Sequence, residues 1–121
     1  MKATDLMVGD WVGVFDDKGT IKDCRQVDWI RTGEIGMRYQ KVWAIGCIEP
    51  IPLTAEILEK NGWWYEIENV WLHDEVNFCI EKWNGKFQCY DISQIKLYSV
   101  HQLQQTLRLC GLNDLADNFK V

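Results

Sequence analysis

Apolar and polar residues along this chain follow two spacings, one helical and one strand-like, and the clearest helical segment covers residues 54–61. In the stretch EPIPLTAEILEKNGWW, Thr54 is a suitable N-cap, because its hydroxyl can accept a hydrogen bond from an amide of the first turn. Leu53 and Leu58 stand at the positions of a hydrophobic staple, and Gly62 supplies the left-handed residue that ends a helix. The pattern predicts a capped helix whose regularity belongs to the scaffold rather than to a reactive site.

A second helix is predicted over residues 100–110 by the stretch YSVHQLQQTLRLCGL. Ser99 and Gln102 have the S-x-x-Q spacing of a capping box, and Gly111 provides the helix end. His101 falls on the polar side of this helix, where we expect a surface residue rather than a ligand. One apolar stripe follows at i, i+3, i+7 and i+10 and consists of Val100, Leu103, Leu107 and Cys110.

Most of the remaining chain consists of runs rich in β-branched and aromatic residues. Three runs, residues 10–15, 20–31 and 36–48, are separated by turn residues and indicate an antiparallel meander. After the first helix, residues 63–72 alternate as one strand, and residues 95–98 form a further short run. Between these two lies a hairpin.

The hairpin signal is the Asn-Gly pair in FCIEKWNGKFQCYDI, which is typical of a two-residue type I′ turn. Such a turn pairs Trp83 with Lys86 and places Cys79 opposite Tyr90. Because side chains alternate across a sheet, Cys79 and Cys89 then point to opposite faces. We expect that these two cysteines neither bond to each other nor share a metal.

The order of elements, βββ-α-βββ-α, predicts an α+β fold in which antiparallel strands form a curled sheet or a small SH3-like barrel covered by two helices. A chain of 121 residues suits one hydrophobic core, so we expect a single domain over residues 1–121. Its expected parts are a β meander at 1–48, a helix at 54–61, a β meander at 63–98 and a C-terminal helix at 100–110.

Cysteine usage and the N-terminal residues indicate the compartment. Five cysteines without a C-x-x-C pair suit reduced thiols better than a disulfide framework or a zinc site. The first residues lack the apolar core of a signal peptide, and no apolar run approaches the ~20 residues that span a bilayer. We therefore expect a cytoplasmic protein without a membrane partner, a cofactor or a metal.

Net charge limits the partners. The chain carries a net charge of −5, and residues 66–91 contain six acids against two bases, which disfavours binding of nucleic acid there. In the N-terminal third, acidic and basic residues are nearly equal in number, so binding of nucleic acid stays an alternative there. A nucleic-acid patch would form if the basic residues of the first meander gathered on one face, namely Lys22, Arg25, Arg31, Arg38 and Lys41.

Few residues suggest reaction chemistry. His73 stands beside Asp74 and Glu75, a trio for which a metal or general-base role can be imagined, but adjacent residues on one turn rarely converge without partners from elsewhere. A solvated polar turn is therefore the expected structure. No phosphate-binding, nucleophile-elbow or zinc-protease motif is present, and we assign no catalytic residue.

Seven tryptophans are the most unusual feature of the composition, and we expect most of them in the core. Trp64 is the exception. If the odd positions of residues 63–72 face the core, Trp64 shares the other face with Glu66 and Glu68. A large ring beside carboxylates on the polar face of a strand is typical of a protein-recognition site.

Three blocks, EPIPLTAEILEKNGW, VHQLQQTLRLCGL and DLMVGDWV, resemble a family of short proteins encoded among phage-related and mobile-element genes of gut anaerobic bacteria. An EPIPLT-type helix and a VHxLQ-type terminal helix recur in that family. The resemblance implies a shared fold and a phage or mobile-element context, but no activity. The VGDWV opening also resembles the first strand of many SH3-like barrels, which are used by unrelated binding modules.

Three classes of function follow, in order of preference. The first is a non-catalytic protein-binding or accessory module, whose partner is another protein or a second copy. The second is a nucleic-acid-binding module that uses the basic residues of the first meander with Trp29 or Trp43 stacking on bases. The third is an enzyme, which would need a pocket that joins distant polar groups.

Overall fold

A computed structural model of the protein describes residues 5–15, 21–31, 34–37, 42–44, 48–92 and 95–121, without the side chains of residues 15, 21, 22 and 42–44. The chain divides into two compact units, Met1–Ile51 and Pro52–Val121. The expectation that both belong to a single domain stays a prediction.

The first unit is one antiparallel sheet in the order β4-β3-β2-β1-β5. Its strands are β1 (Trp11–Phe15), β2 (Ile21–Arg31), β3 (Glu34–Met37), β4 (Val42–Ala44) and β5 (Ile48–Glu49). The expected meander is present through β4. The run at 36–48 is divided among three strands, because its last residues cross back to β1, where Ile48 pairs with Val14. The turns expected at residues 17–19 and 32–33 lie outside the described residues.

Apolar residues of these strands form the core of the first unit. The buried cluster consists of Leu6, Val12, Val14, Val27, Ile35, Met37 and Ile48. Two buried polar side chains are satisfied by the segment before β1. Gln26 donates to the Gly9 carbonyl at 3.1 Å, and Asp10 accepts from the Met7 amide at 2.8 Å. Burial of these polar groups is therefore compensated by hydrogen bonds.

The second unit combines a four-stranded antiparallel sheet, in the order β6-β7-β8-β9, with three helices. The elements are α1 (Ala55–Lys60), β6 (Trp64–Tyr65), β7 (Val70–Leu72), β8 (Ile80–Trp83), β9 (Lys86–Cys89), α2 (Val100–Leu109) and α3 (Asn113–Asp117). The α+β class is confirmed. The described strands form open sheets rather than a closed barrel, and the expected order βββ-α-βββ-α is corrected to five strands, a helix, four strands and two helices.

The predicted N-terminal caps of both helices are present as hydrogen bonds between a side chain and a backbone amide, although the helices are slightly shorter than the predicted 54–61 and 100–110. Thr54 accepts from the Ile57 amide at 3.2 Å, and the Gln102 side chain accepts from the Ser99 amide at 3.1 Å. Both α1 and α2 end in a Schellman motif, in which the amide of the second residue after the C-cap donates to the carbonyl five residues earlier. The bonds are Trp63 to Leu58 at 3.1 Å and Leu112 to Leu107 at 2.9 Å.

The polar side of α2 departs from the prediction. His101 is only 6% exposed, with Nδ1 3.1 Å from Ser99 Oγ, and Gln104 is fully buried and donates to the Ala116 carbonyl at 2.9 Å. For Gln104 the cause is α3, which contacts α2 and supplies the Ala116 carbonyl. Cys110 is exposed rather than part of the apolar stripe, because it is already the C-cap.

Residues 63–72 form two strands rather than the single strand expected. The chain reverses at Glu68 and Asn69, whose φ angles are 52° and 64°, and the Val70 amide bonds the Ile67 carbonyl at 3.0 Å. Asparagine tolerates this left-handed conformation, whereas glutamate adopts it rarely. The reversal ends the alternation, and Ile67 is consequently 64% exposed instead of facing the core.

Candidate functional site

The four-stranded sheet has one largely buried face and one face that carries most of its exposed aromatic rings. The exception is Tyr65, which pairs with Trp71 on the first face and is 52% exposed. The buried face contains Trp71, Ile80, Phe87 and Cys89. Because neighbouring residues on a strand point to opposite faces, the strand pairings assign the residues between them to the other side. We call this other side the outer face, and its residues fall into three rows that run across the strands.

The first row of the outer face is Trp64, Leu72, Cys79 and Tyr90. Trp64 pairs directly with Leu72, and Tyr90 donates its amide to the Cys79 carbonyl at 2.8 Å. Leu72 and Cys79 follow and precede the paired residues Trp71 and Ile80. An aromatic ring therefore stands at each end of this row, with two partly buried apolar side chains between them.

The second row is polar, and its ends are oppositely charged. It consists of Glu66, Val70, Glu81, Gln88 and Lys96. Successive members are joined by a Glu66 amide bond to the Val70 carbonyl at 2.8 Å and by the pairings of Val70 with Glu81, Glu81 with Gln88, and Gln88 with Lys96. The Gln88 amide donates to the Glu81 carboxylate at 2.7 Å, so that this central charge is engaged within its own sheet.

The third row places an indole and a phenol on either side of a lysine. Trp83 pairs with Lys86 across the type I′ turn, where Asn84 and Gly85 have φ angles of 50° and 77°. The Lys86 ammonium lies 5.0 Å from the centroid of the Tyr98 ring. The Lys96 ammonium lies 5.8 Å from the same centroid, so the second and third rows meet at Tyr98.

Four aromatic rings of the outer face are accessible to solvent. Exposure is 38% for Trp64, 63% for Trp83, 53% for Tyr90 and 38% for Tyr98. Isolated exposed apolar residues are common on soluble proteins, but a group of exposed rings on one sheet face is typical of an interaction site. The geometry offers flat, amphipathic contact area rather than a reactive centre.

The expected group of Trp64, Glu66 and Glu68 is brought together only in part. The Trp64 indole donates to the Glu66 carboxylate at 3.3 Å, and both residues are exposed on the outer face as expected. Glu68 instead lies in the turn between β6 and β7, because the chain reverses there. The expectation that Trp63 is buried is met, with 3% of the residue exposed.

Two basic residues of the first meander, Arg25 and Arg31, have described side chains, and these lie on opposite faces of β2. Val27 pairs with Met37 and Trp29 pairs with Gly36, so a bulge between them turns the two parts of β2 to opposite faces. Arg25, before the bulge, bonds Asp23 at 2.7 Å, whereas Arg31, after it, stacks 4.4 Å above the Trp29 ring.

The structure describes no side chain for the other three basic residues of the predicted nucleic-acid patch. Lys22 lies in β2 without a described side chain, and Arg38 and Lys41 lie outside the described residues. The two described arginines point to opposite faces and are each engaged by a neighbour.

The contacts of His73 hold neighbouring segments together and do not form a reactive site. Its Nδ1 accepts from the Glu75 amide at 3.0 Å, so the ring proton is on Nε2, which lies 3.0 Å from the Asn61 carbonyl as donor. The ring also contacts Trp63 edge-on, with centroids 5.3 Å apart. His73 thus fixes the segment after β7 against the end of α1, while Asp74 is exposed.

A cavity of about 270 Å³ lies beside this histidine. Its lining includes Trp63, Leu107 and Phe119 on the apolar side and Lys60 and Lys120 on the charged side. Ligand pockets typically measure ~300–1,000 Å³, so this cavity is below the usual size. Within the described ranges, no group of three His, Cys, Asp or Glu side chains could hold a metal ion.

The described thiols are unpaired: Cys24, Cys79, Cys89 and Cys110 are free, and Cys47 lies outside the described residues. Burial, with a smaller contribution from Asp23, raises the pKa of Cys24. Burial, Asp91 and Cys89 raise the pKa of Cys79 in that order, so its thiolate is disfavoured. None of the described helices is both long and apolar enough to span a membrane.

Sequence reasoning identified Trp64 but missed Trp83, Tyr90 and Tyr98. A signal for the first two was present, because the Asn-Gly hairpin register already assigns Trp83 and Tyr90 to one face of the sheet. Tyr98 and Lys96 could not be found in this way, since they reach that face through a single bridge between Gln88 and Lys96.

Comparisons of the chain with protein-family models, with curated proteins and with solved structures find no match, so its resemblance to a phage-associated family stays a prediction.

Proposed function

We propose that the chain is a non-catalytic protein-binding module and that the outer face is its recognition surface. The observation that carries this proposal is the set of four exposed rings, Trp64, Trp83, Tyr90 and Tyr98, on one sheet face. Tryptophan and tyrosine are enriched among the residues that dominate binding energy in protein interfaces. Each ring offers large apolar area with few rotatable bonds, so ordering it on binding costs little entropy.

Charge supports a protein partner over a nucleic acid. Glu66 and Glu81 balance Lys86 and Lys96 on the outer face, so the face lacks the positive excess that neutralises phosphates. The exposed rings and the apolar residues beside them would form the apolar part of an interface, and the charged residues of the second row would form its polar part. The nucleic-acid alternative depends on the first meander, whose described arginines are each engaged by a neighbour.

The proposal is tested by immobilising the protein and recovering bound proteins from a nuclease-treated extract at two salt concentrations. Trp83→Ala is the informative variant, because this ring is the most exposed on the outer face. Leu109→Ala is the matched control, since Leu109 is 88% exposed and lies on α2 rather than on the four-stranded sheet. We expect the Trp83 variant to lose a specific protein partner, or a second copy of the chain, that the Leu109 variant retains.

Two results would contradict the proposal. One is equal recovery by both variants. The other is salt-sensitive retention of single-stranded DNA or RNA that depends on Arg25 or Arg31, which would favour the nucleic-acid alternative.

A further inference from the structure

We infer that the partner of the outer face is a second copy of this chain, bound face to face about a two-fold axis that runs parallel to the strands. The inference rests on the proposed function and names its partner. It follows from the opposite charges of Glu66 and Lys96 at the two ends of the second row, because that symmetry places each of them over the other.

One side of the outer face is acidic and the other is basic. Glu66 lies beside β6, at one end of the second row, and Glu68 lies in the adjoining turn. Lys86 lies on β9, and Lys96 lies beyond it at the opposite end of the second row. The centre of the face carries Glu81, with Val70, Leu72, Cys79 and Trp83 around it.

A two-fold interface brings the same surface of both copies together. Each residue of that surface must therefore fit, in shape and charge, the residue of the second copy that the axis places opposite it. An axis parallel to the strands exchanges the two sides of the sheet and places Glu66 of one copy over Lys96 of the other. Glu81, in the middle of the second row, meets its own symmetry mate in this arrangement, and in each copy its carboxylate accepts a hydrogen bond from Gln88. An axis perpendicular to the strands would place acid over acid and base over base. Charge therefore selects the first arrangement.

The predicted interface is small. Five strand positions ~4.8 Å apart and three rows ~6.8 Å apart cover on the order of 500 Å² per copy. Stable interfaces bury about 800 Å² per partner, and weak encounters lie below that. We therefore expect a weak dimer with a dissociation constant in the micromolar range or above, which forms at high local concentration.

The experiment is sedimentation equilibrium of the full chain at protein concentrations up to about 1 mM, a range that detects weak dimers. Glu66→Lys and Lys96→Glu should each weaken dimerisation on the order of tenfold, because each substitution turns two symmetry-related attractions into repulsions. The double variant should recover dimerisation to within about threefold of the original protein, because the exchanged charges are again opposite.

Glu59→Lys is the matched control, since Glu59 is an exposed acid on α1 and its substitution changes net charge by the same amount. It should leave dimerisation unchanged. Circular dichroism of each variant verifies that the fold is retained.

Several outcomes would overturn the inference. They are a protein that stays monomeric at the highest concentration, a double variant no better than the single ones, and a Glu59 variant as weak as the Glu66 variant. A monomer that still captures another protein through Trp83 would overturn only the second-copy inference and leave the proposed function standing. A monomer without such capture would overturn both.

Discussion

Replacing Asn61 by alanine removes a side chain that joins the end of α1 to the C-terminal segment. The Asn61 amide donates to the carbonyls of Ile57 and Lys120, each at 2.8 Å, and its Oδ1 accepts from the Lys120 amide at 2.8 Å. Each such bond contributes ~0.5–1.5 kcal/mol net. Two of the three lie at exposed positions, so we expect a loss of about 2 kcal/mol in the free energy of unfolding.

Urea unfolding followed by tryptophan fluorescence measures this change, and hydrogen exchange of the Lys120 amide provides a local readout. That amide should lose its protection, because its acceptor is gone. Asn118→Ala, at an exposed asparagine in the same segment, is the control and should change the stability by less than about 0.5 kcal/mol. An Asn61 variant as stable as the original, with Lys120 still protected, would refute the reasoning.

Two further predictions concern stability. Trp63→Ala should lower the free energy of unfolding by ~3–5 kcal/mol, because it empties a core site that is 3% exposed. Trp83→Ala, at a ring that is 63% exposed, should lower it by about 1 kcal/mol or less. Equal losses in urea unfolding would contradict the placement of Trp63 in the core and of Trp83 on the outer face. Gly62→Ala should lower the free energy of unfolding by about 2 kcal/mol or more, because φ is +86° and an added Cβ would lie 2.9 Å from His73 Nε2. Gly85→Ala, where φ is +77° and the space is open, should lower it by about 1 kcal/mol. A larger loss at Gly85 than at Gly62 would contradict the contact with His73.

Features that depend on neighbouring residues were predictable from the sequence. Thr54 and Gln102 cap their helices, and the Asn-Gly turn sets the pairing of Trp83 with Lys86, as predicted. These features are determined within a few residues by the backbone amides that must be satisfied and by the φ angles that a turn requires. The predicted hairpin register also assigns two of the four exposed rings, Trp83 and Tyr90, to one face of the sheet.

Features that depend on distant contacts were not predictable. Asn61 bonds a residue 59 positions away, and α3 covers the polar side of α2 through Gln104. No local pattern encodes either contact. The turn at Glu68 and Asn69 is a different case, because glutamate rarely adopts a positive φ and an alternating pattern continues across it. That turn removed Glu68 from the predicted strand face while leaving Trp64 and Glu66 together.

Recognition of a second copy by the outer face should change the chemical shifts of the tryptophan indoles on that face, and nitrogen-15 NMR spectra measure those shifts. The protein is diluted from about 1 mM to about 20 µM, and each indole signal is assigned by tryptophan substitution. We predict that the signals of Trp64 and Trp83 shift with concentration, whereas those of Trp63 and Trp71, which are 3% and 6% exposed, stay constant. Constant signals from Trp64 and Trp83, or shifts confined to Trp29 in the first unit, would contradict the claim.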